Sequence, residues 1–209
     1  LIFHDFKRNS MLVKSRAIVF RTHKYGETSV IAELYTEEKG LRKYVINGVR
    51  SAKAKTKANL LQGMTLLEIV AYEREDRDLN RIKEIRPAFV YESIPFDVRK
   101  GAIGLFMLEV ARKAIREREA NPVLFHFLYD RFIGLDTSSN SIANYHLVFL
   151  IELSTYLGFL PAGRYSAARP VFDLQAGAFT TAPPEHPYYL IDEQAIGFNQ
   201  LLGTTALKA

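Results

Sequence analysis

Across residues 41–57 the chain places six basic residues, Arg42, Lys43, Arg50, Lys53, Lys55 and Lys57, and no acidic one. Arg42 and Lys43 precede an apolar run, Tyr44-Val45-Ile46. The other four fall in a loop of Ala, Ser, Thr and Lys that follows Gly48. A loop of that composition has almost nothing to bury, so its charges stand in water and meet an anion. The chemistry is phosphate neutralisation with release of counterions, and no covalent bond is made or broken. A second group lies upstream in Arg21-Thr22-His23-Lys24-Tyr25-Gly26-Glu27-Thr28-Ser29, where a turn at Gly26 gathers Arg21, Lys24 and Tyr25. An exposed ring there can stack on a base, worth about 1–3 kcal/mol. The competing arrangement packs Tyr25 on a sheet rim and uses Glu27 to cap the turn.

Catalytic constellations are missing from the sequence. The chain has no cysteine, which removes disulfides, thiolate nucleophiles and thiolate metal sites, and fits a cytoplasmic protein. Its five histidines, His4, His23, His126, His146 and His186, lack metal-site spacing. No phosphate-binding glycine loop, dinucleotide fingerprint, nucleophile elbow or zinc hydrolase pattern is present. Glu73, Glu75, Asp76 and Asp78 are interleaved with Arg74 and Arg77, so they read as the solvated tip of a charged hairpin. Binding therefore outranks catalysis, and no enzyme activity, cofactor or metal is expected.

The charge distribution agrees. The net charge is +5, yet residues 11–60 alone hold eleven Lys or Arg against four Glu, leaving the remainder slightly negative. Basic charge concentrated in one quarter of a chain is the footprint of a nucleic-acid-binding domain; the plainer reading is a solubilising surface. With 209 residues and 48% apolar content, a core for two small domains is affordable. No apolar run approaches the ~20 residues that span a bilayer. Residues 1–10 lack the apolar stretch of a signal peptide and are set aside, because regular patterning starts at Met11.

These residues need a scaffold, and the periodicity supplies one. Residues 13–22, 28–36, 41–49, 64–72 and 79–85 read as strands. Five short strands without a long helix suit a small closed barrel of the oligonucleotide-binding (OB-fold) type over residues 11–86. The period then becomes helical over residues 87–209. Asp97 caps a helix through Ile115, and Asn121-Pro122 opens another to Ile133. A third runs over 141–157, apolar on most faces and expected to be central, and a last starts at Asp192 and runs to Leu202. Between them, about 162–190, lies an irregular insertion. The fold class is α+β: an N-terminal five-stranded barrel followed by a mainly α-helical domain.

Several runs together resemble a known family. Ala17-Ile18-Val19-Phe20-Arg21-Thr22, then Lys24-Tyr25-Gly26-Glu27-Thr28-Ser29, are similar to the N-terminal signature of the bacterial DNA repair protein RecO family. The likeness continues through Tyr35-Thr36, Gly48-Val49-Arg50-Ser51 and Leu60-Leu61-Gln62-Gly63-Met64-Thr65-Leu66-Leu67-Glu68. It returns at Phe149-Leu150-Ile151-Glu152-Leu153-Ser154-Thr155-Tyr156-Leu157-Gly158-Phe159-Leu160-Pro161. The resemblance implies a recombination mediator that binds single- and double-stranded DNA and anneals complementary strands. It would also assist recombinase loading on strands coated by single-stranded-DNA-binding protein. RecR and the coating protein are the implied partners, and no membrane is involved.

Two departures from that family stand out. Many members carry a four-cysteine zinc ribbon after the Leu-Gly-x-Leu-Pro segment; here the region reads Arg164-Tyr165-Ser166-Ala167-Ala168-Arg169-Pro170, so no zinc is expected. Packing by Phe172, Leu174, Phe179, Tyr188 and Tyr189 is expected to hold that subdomain instead. The chain also ends at Ala209, earlier than expected of a family member that carries its final helix.

The coating protein's tail is acidic and ends in apolar residues, so its receptor should be an apolar groove beside a cation. Arg112, Lys113 and Arg116 are the candidates; the alternative is a solvated helix face paired with Glu109 and Glu117. Two rivals compete for the basic loop as a whole. One is a protein-interaction scaffold meeting an acidic surface, and the other is an RNA-binding barrel.

Overall fold

In the computed structural model, residues 10–49, 58–74, 76–116 and 118–206 are described. Five strands close a barrel: β1 Met11–Tyr25, β2 Ser29–Thr36, β3 Gly40–Ile46, β4 Leu66–Glu73 and β5 Leu79–Pro87. Their order is β1-β2-β3-β5-β4, and β3 pairs with β5 in parallel while the other ladders are antiparallel. That closure is the five-stranded barrel the sequence predicts, with its strand ends shifted by a few residues. The core is filled by alternate residues, among them Ala17 and Val19, Ala32 and Leu34, Tyr44 and Ile46, and Leu67, Ile69 and Ala71, as a period of two requires.

β1 is longer than its apolar run because it serves two neighbours. Met11 to Ile18 pair with β4, Ala17 to Tyr25 pair with β2, and a register shift between Val19 and Arg21 bends the strand from one partner to the next. β3 stops at Ile46, earlier than expected, and residues 47–49 form a turn. A 3-10 turn at Ala58–Leu61 reaches the barrel, where Leu61 joins the core and its carbonyl accepts from Thr22 Oγ1 at 2.8 Å.

One expectation at the β4–β5 turn is overturned. Glu73 is not part of a solvated tip; it is buried, accepting from the Tyr44 hydroxyl and from Asn80 Nδ2 at 2.7 Å. The cause is strand parity: positions 67, 69, 71 and 73 of β4 share the inward face, so the period delivers the carboxylate inside. Burial and the adjacent negative charge push the Tyr44 hydroxyl pKa upward.

Two helices pack with the barrel in a compact unit that reaches Asn140. α1 Val98–Ala114 is capped by the Asp97 carboxylate, which accepts from Arg99 N at 2.9 Å and Lys100 N at 3.4 Å, a cap worth about 1 kcal/mol. α2 Pro122–Thr137 is capped by Asn121 Oδ1, accepting from Leu124 N at 3.0 Å, and runs one turn past the expected Ile133. Its end is held by Asp136, whose carboxylate accepts from the backbone of Glu92, Ser93 and Ile94. Lys100 Nζ completes this knot on Ser93 Oγ and the carbonyls of Asp136 and Ser138. Against the barrel, α2 inserts Phe125 beside Tyr35, which stacks on Phe20 with 5.4 Å between centroids.

Residues from Ser141 onward form a second compact unit. It holds α3 Tyr145–Tyr156, a three-stranded sheet of β6 Val171–Asp173, β7 Ala178–Thr180 and β8 Tyr189–Leu190, and α4 Asp192–Ala206. α3 starts four residues later than expected and buries Phe149, Ile151 and Leu153. In the sheet, Phe172 and Phe179 are buried as expected, but Leu174 and Tyr188 are exposed. Leu174 lies just past the end of a three-residue strand, so no second layer covers it. α4 supplies the missing packing instead: Phe198 meets Phe172 at 4.4 Å between centroids, and Ala195 is fully buried. Among the described residues, no helix is long and apolar enough to cross a membrane.

Candidate nucleic-acid interface

The outer face of β1, β2 and β3 carries a row of polar and aromatic side chains. Directly paired residues share a face, and the register runs Arg21↔Glu33↔Lys43 at one end and Tyr25↔Ser29 at the other. Arg21, His23 and Tyr25 therefore project together at alternate positions of β1. All three are exposed, Tyr25 by 50%, so its ring does not pack under a rim. Ser29 Oγ donates to Asn47 Oδ1 at 3.0 Å, tying the β1–β2 turn to the end of β3. Gly26 turns the chain there with φ +61°, a conformation that suits glycine.

Strand parity separates residues that are neighbours in sequence. Lys24 pairs with the core residue Val30 and lies on the opposite side of β1 from Arg21 and Tyr25. Arg42 and Lys43 also part. Lys43 is exposed on the outer face, whereas Arg42 turns toward the barrel mouth and donates to the Leu41 carbonyl at 3.2 Å and the Arg118 carbonyl at 2.6 Å. Arg50, Lys53, Lys55 and Lys57 lie outside the described residues. The chain leaves for that segment from Val49 and returns at Leu61, and both belong to the barrel core.

A groove of about 750 Å³ opens beside β3, the β4–β5 turn and the end of α1. Of the fifteen described residues that line it, eight are Lys or Arg and four are Asp or Glu. It joins Arg42 and Lys43 with Arg112 and Arg116, two sets the sequence had assigned to different tasks. Lys113 is not among its lining residues. Arg112 and Lys113 pair with Glu109 at 2.6 and 3.4 Å, the solvated-face arrangement. Among the described residues, Met11, Leu41 and Ile115 are the apolar members of the lining that Arg112 and Arg116 share.

Sequence reasoning missed Arg74, Arg77 and Arg118 as members of this surface. Arg74 pairs with Asp76 at 2.8 Å and holds that carboxyl below its usual range, while Arg118 pairs with Asp78. The signal was the density of basic residues at 112–118, legible only once that segment is known to face the β4–β5 turn.

Comparison with known proteins adds an identity to this geometry. The family model for the N-terminal part of recombination protein O matches residues 11–91, and the C-terminal model matches residues 95–170. A DNA repair protein RecO of Bacteroides fragilis is 39% identical over 193 residues, covering 92% of this chain and 80% of the relative. The RecO protein of Christiangramia forsetii is 42% identical over 170 residues, covering 81% and 70%, and that of Flavobacterium psychrophilum is 36% identical over 171 residues, covering 81% and 71%. Together the two family models span the barrel and the first three helices after it, and the chain belongs to the RecO family of DNA repair proteins.

Proposed function

We propose that the protein is a recombination mediator that binds single- and double-stranded DNA on its barrel and anneals complementary strands. It assists recombinase loading on strands covered by single-stranded-DNA-binding protein, with RecR and that protein's acidic C-terminal tail as partners, and works in the cytoplasm at the nucleoid. The observation that carries this reading is the exposed outer face in a member of a DNA repair family. Arg21, Tyr25 and Lys43 are presented on paired strands of the barrel, and the turn at 47–49 precedes the basic segment 50–57.

The mechanism is electrostatic. Lys43, Arg21 and the lysines of the segment neutralise phosphates, and Tyr25 offers a ring on which a base stacks. Two strands held on one basic surface repel each other less, which lowers the barrier to pairing. No bond is formed or broken, and no nucleotide hydrolysis is called for. Strand annealing with two complementary oligonucleotides tests this directly. Wild type should accelerate pairing, and a Lys53→Glu/Lys55→Glu/Lys57→Glu variant should lose the acceleration. Equal rates for variant and wild type would count against the reading.

A further inference from the structure

We infer that the basic groove beside β3, the β4–β5 turn and the end of α1 is a channel for the sugar-phosphate backbone of a nucleic-acid strand. It would continue the path that begins at Tyr25. This inference rests on the strand-binding reading above and extends it to Arg74, Arg77, Arg112, Arg116 and Arg118, which lie far from the 50–57 segment in sequence.

Charge is the first ground. Among the described residues, eight basic side chains against four acidic ones line the groove, and six of the eight are arginines, whose planar forks match phosphate oxygens. Several are already spent on internal structure: Arg42 on the Arg118 carbonyl, Arg118 on Asp78 and Arg112 on Glu109. These contacts fix the walls in advance, which lowers the ordering cost of binding. Lys43 and Arg116 have no carboxylate partner among the described residues, Arg116 donating only to the Lys113 carbonyl at 3.4 Å. They are the cations that meet the ligand.

Continuity is the second ground. Glu33 and Lys43 line the groove and also stand in the cross-strand row with Arg21. From that row to the one holding Tyr25 and Ser29 is four residues of β1, about 13 Å at the rise of a strand. A strand lying on the outer face thus runs from the β1–β2 turn directly into the groove. Lining chemistry argues against a peptide with apolar anchors, because three apolar residues offer little to bury.

The test compares two single-charge variants of the full chain, Arg116→Gln in the groove and Lys113→Gln outside it on the same helix end. Both side chains are exposed, so neither change disturbs the core, and thermal melting checks this. Binding of a fluorescent single-stranded oligonucleotide is measured across a salt series. The expected result is that Arg116→Gln weakens binding about 3–10-fold at low salt and lowers the salt slope by about 0.7, the single-strand value for one phosphate. Lys113→Gln should leave both nearly unchanged. Equal effects from the two variants would reduce the groove to a contribution of net charge and overturn the inference. Binding lost in the Lys53→Glu/Lys55→Glu/Lys57→Glu variant but untouched by Arg116→Gln would leave the strand-binding reading standing and remove the groove. If Arg116→Gln weakens capture of a poly-glutamate peptide and not of the oligonucleotide, the groove docks an acidic protein instead. Failure of wild type to bind DNA at low salt removes both readings.

Discussion

Arg16 grips Glu37 with two parallel hydrogen bonds, Nε to Oε2 and Nη2 to Oε1, each 2.8 Å long. The pair ties β1 to the turn after β2. His126 of α2 closes on the same carboxylate at 2.6 Å, and the Arg16 guanidinium lies over the Tyr129 ring at 5.0 Å. Through His126 and Tyr129, the Arg16–Glu37 pair also fastens the barrel to α2.

That pair makes stability depend on acid. The hydrogen bond from Arg16, reinforced by His126, lowers the Glu37 pKa to about 2 from an ordinary value of 4.5. A carboxyl with a depressed folded pKa contributes stability that is fully present above its unfolded pKa and is lost as pH falls through the folded one. Wild type should therefore lose stability between about pH 4.5 and pH 2, partly through this group. An Arg16→Met variant should be weaker by about 1–3 kcal/mol at neutral pH, with a gap from wild type that narrows toward pH 2. Urea unfolding at several pH values reads both quantities. A gap that stays constant with pH would assign the effect to packing on Phe125 and Tyr129 alone.

Gly40 offers a test of the close approach between barrel and helix loop. Its φ is +65°, and a Cβ there would stand 2.2 Å from the Glu119 carbonyl oxygen. Gly26 has a similar φ of +61° but open space around it. Gly26→Ala should cost on the order of 1 kcal/mol from backbone strain alone. Gly40→Ala should cost clearly more, about 2–4 kcal/mol, because the loop must move as well. Thermal melts of the two variants rank them, and equal losses would mean that the loop yields freely.

The knot at Asp136 should be as costly to cut. Replacing Asp136 with Ala leaves the amides of Glu92, Ser93 and Ile94 without their acceptor, a loss of about 2–4 kcal/mol. Asp136→Asn keeps one acceptor oxygen and should lose roughly half as much. Denaturant titration distinguishes them; a harmless Asp136→Ala would mean that water replaces the carboxylate.

Tyr25 separates stacking from charge on the outer face. Tyr25→Ala should weaken single-strand binding by about 1–3 kcal/mol, while Tyr25→Phe keeps the ring and should bind like wild type. Neither should change the salt slope, since no cation is removed. A Tyr25→Phe loss equal to that of Tyr25→Ala would point to the hydroxyl.

What the sequence made legible follows the range of each signal. The barrel strands and both helix caps, Asp97 and Asn121, are written in local period and local chemistry, and they were readable. The burial of Glu73 was hidden because Asp76 and Asp78, in the same acidic cluster, are truly at the surface, and only strand parity turns Glu73 inward. The sheet of β6, β7 and β8 has strands of two or three residues, too short to show a period. The groove was invisible for another reason: it joins β3, residues 74–78 and residues 112–118, which only the closed fold brings side by side.

Oligonucleotide affinity across a salt series decides most about the nucleic-acid interface. If about six phosphates are contacted, the logarithm of affinity should fall against the logarithm of salt with a slope near −4 to −5. Charge reversal at Lys53, Lys55 and Lys57 should flatten that slope and abolish binding at moderate salt. A slope near zero, or wild-type affinity after the reversal, would contradict an electrostatic DNA-binding face on this barrel.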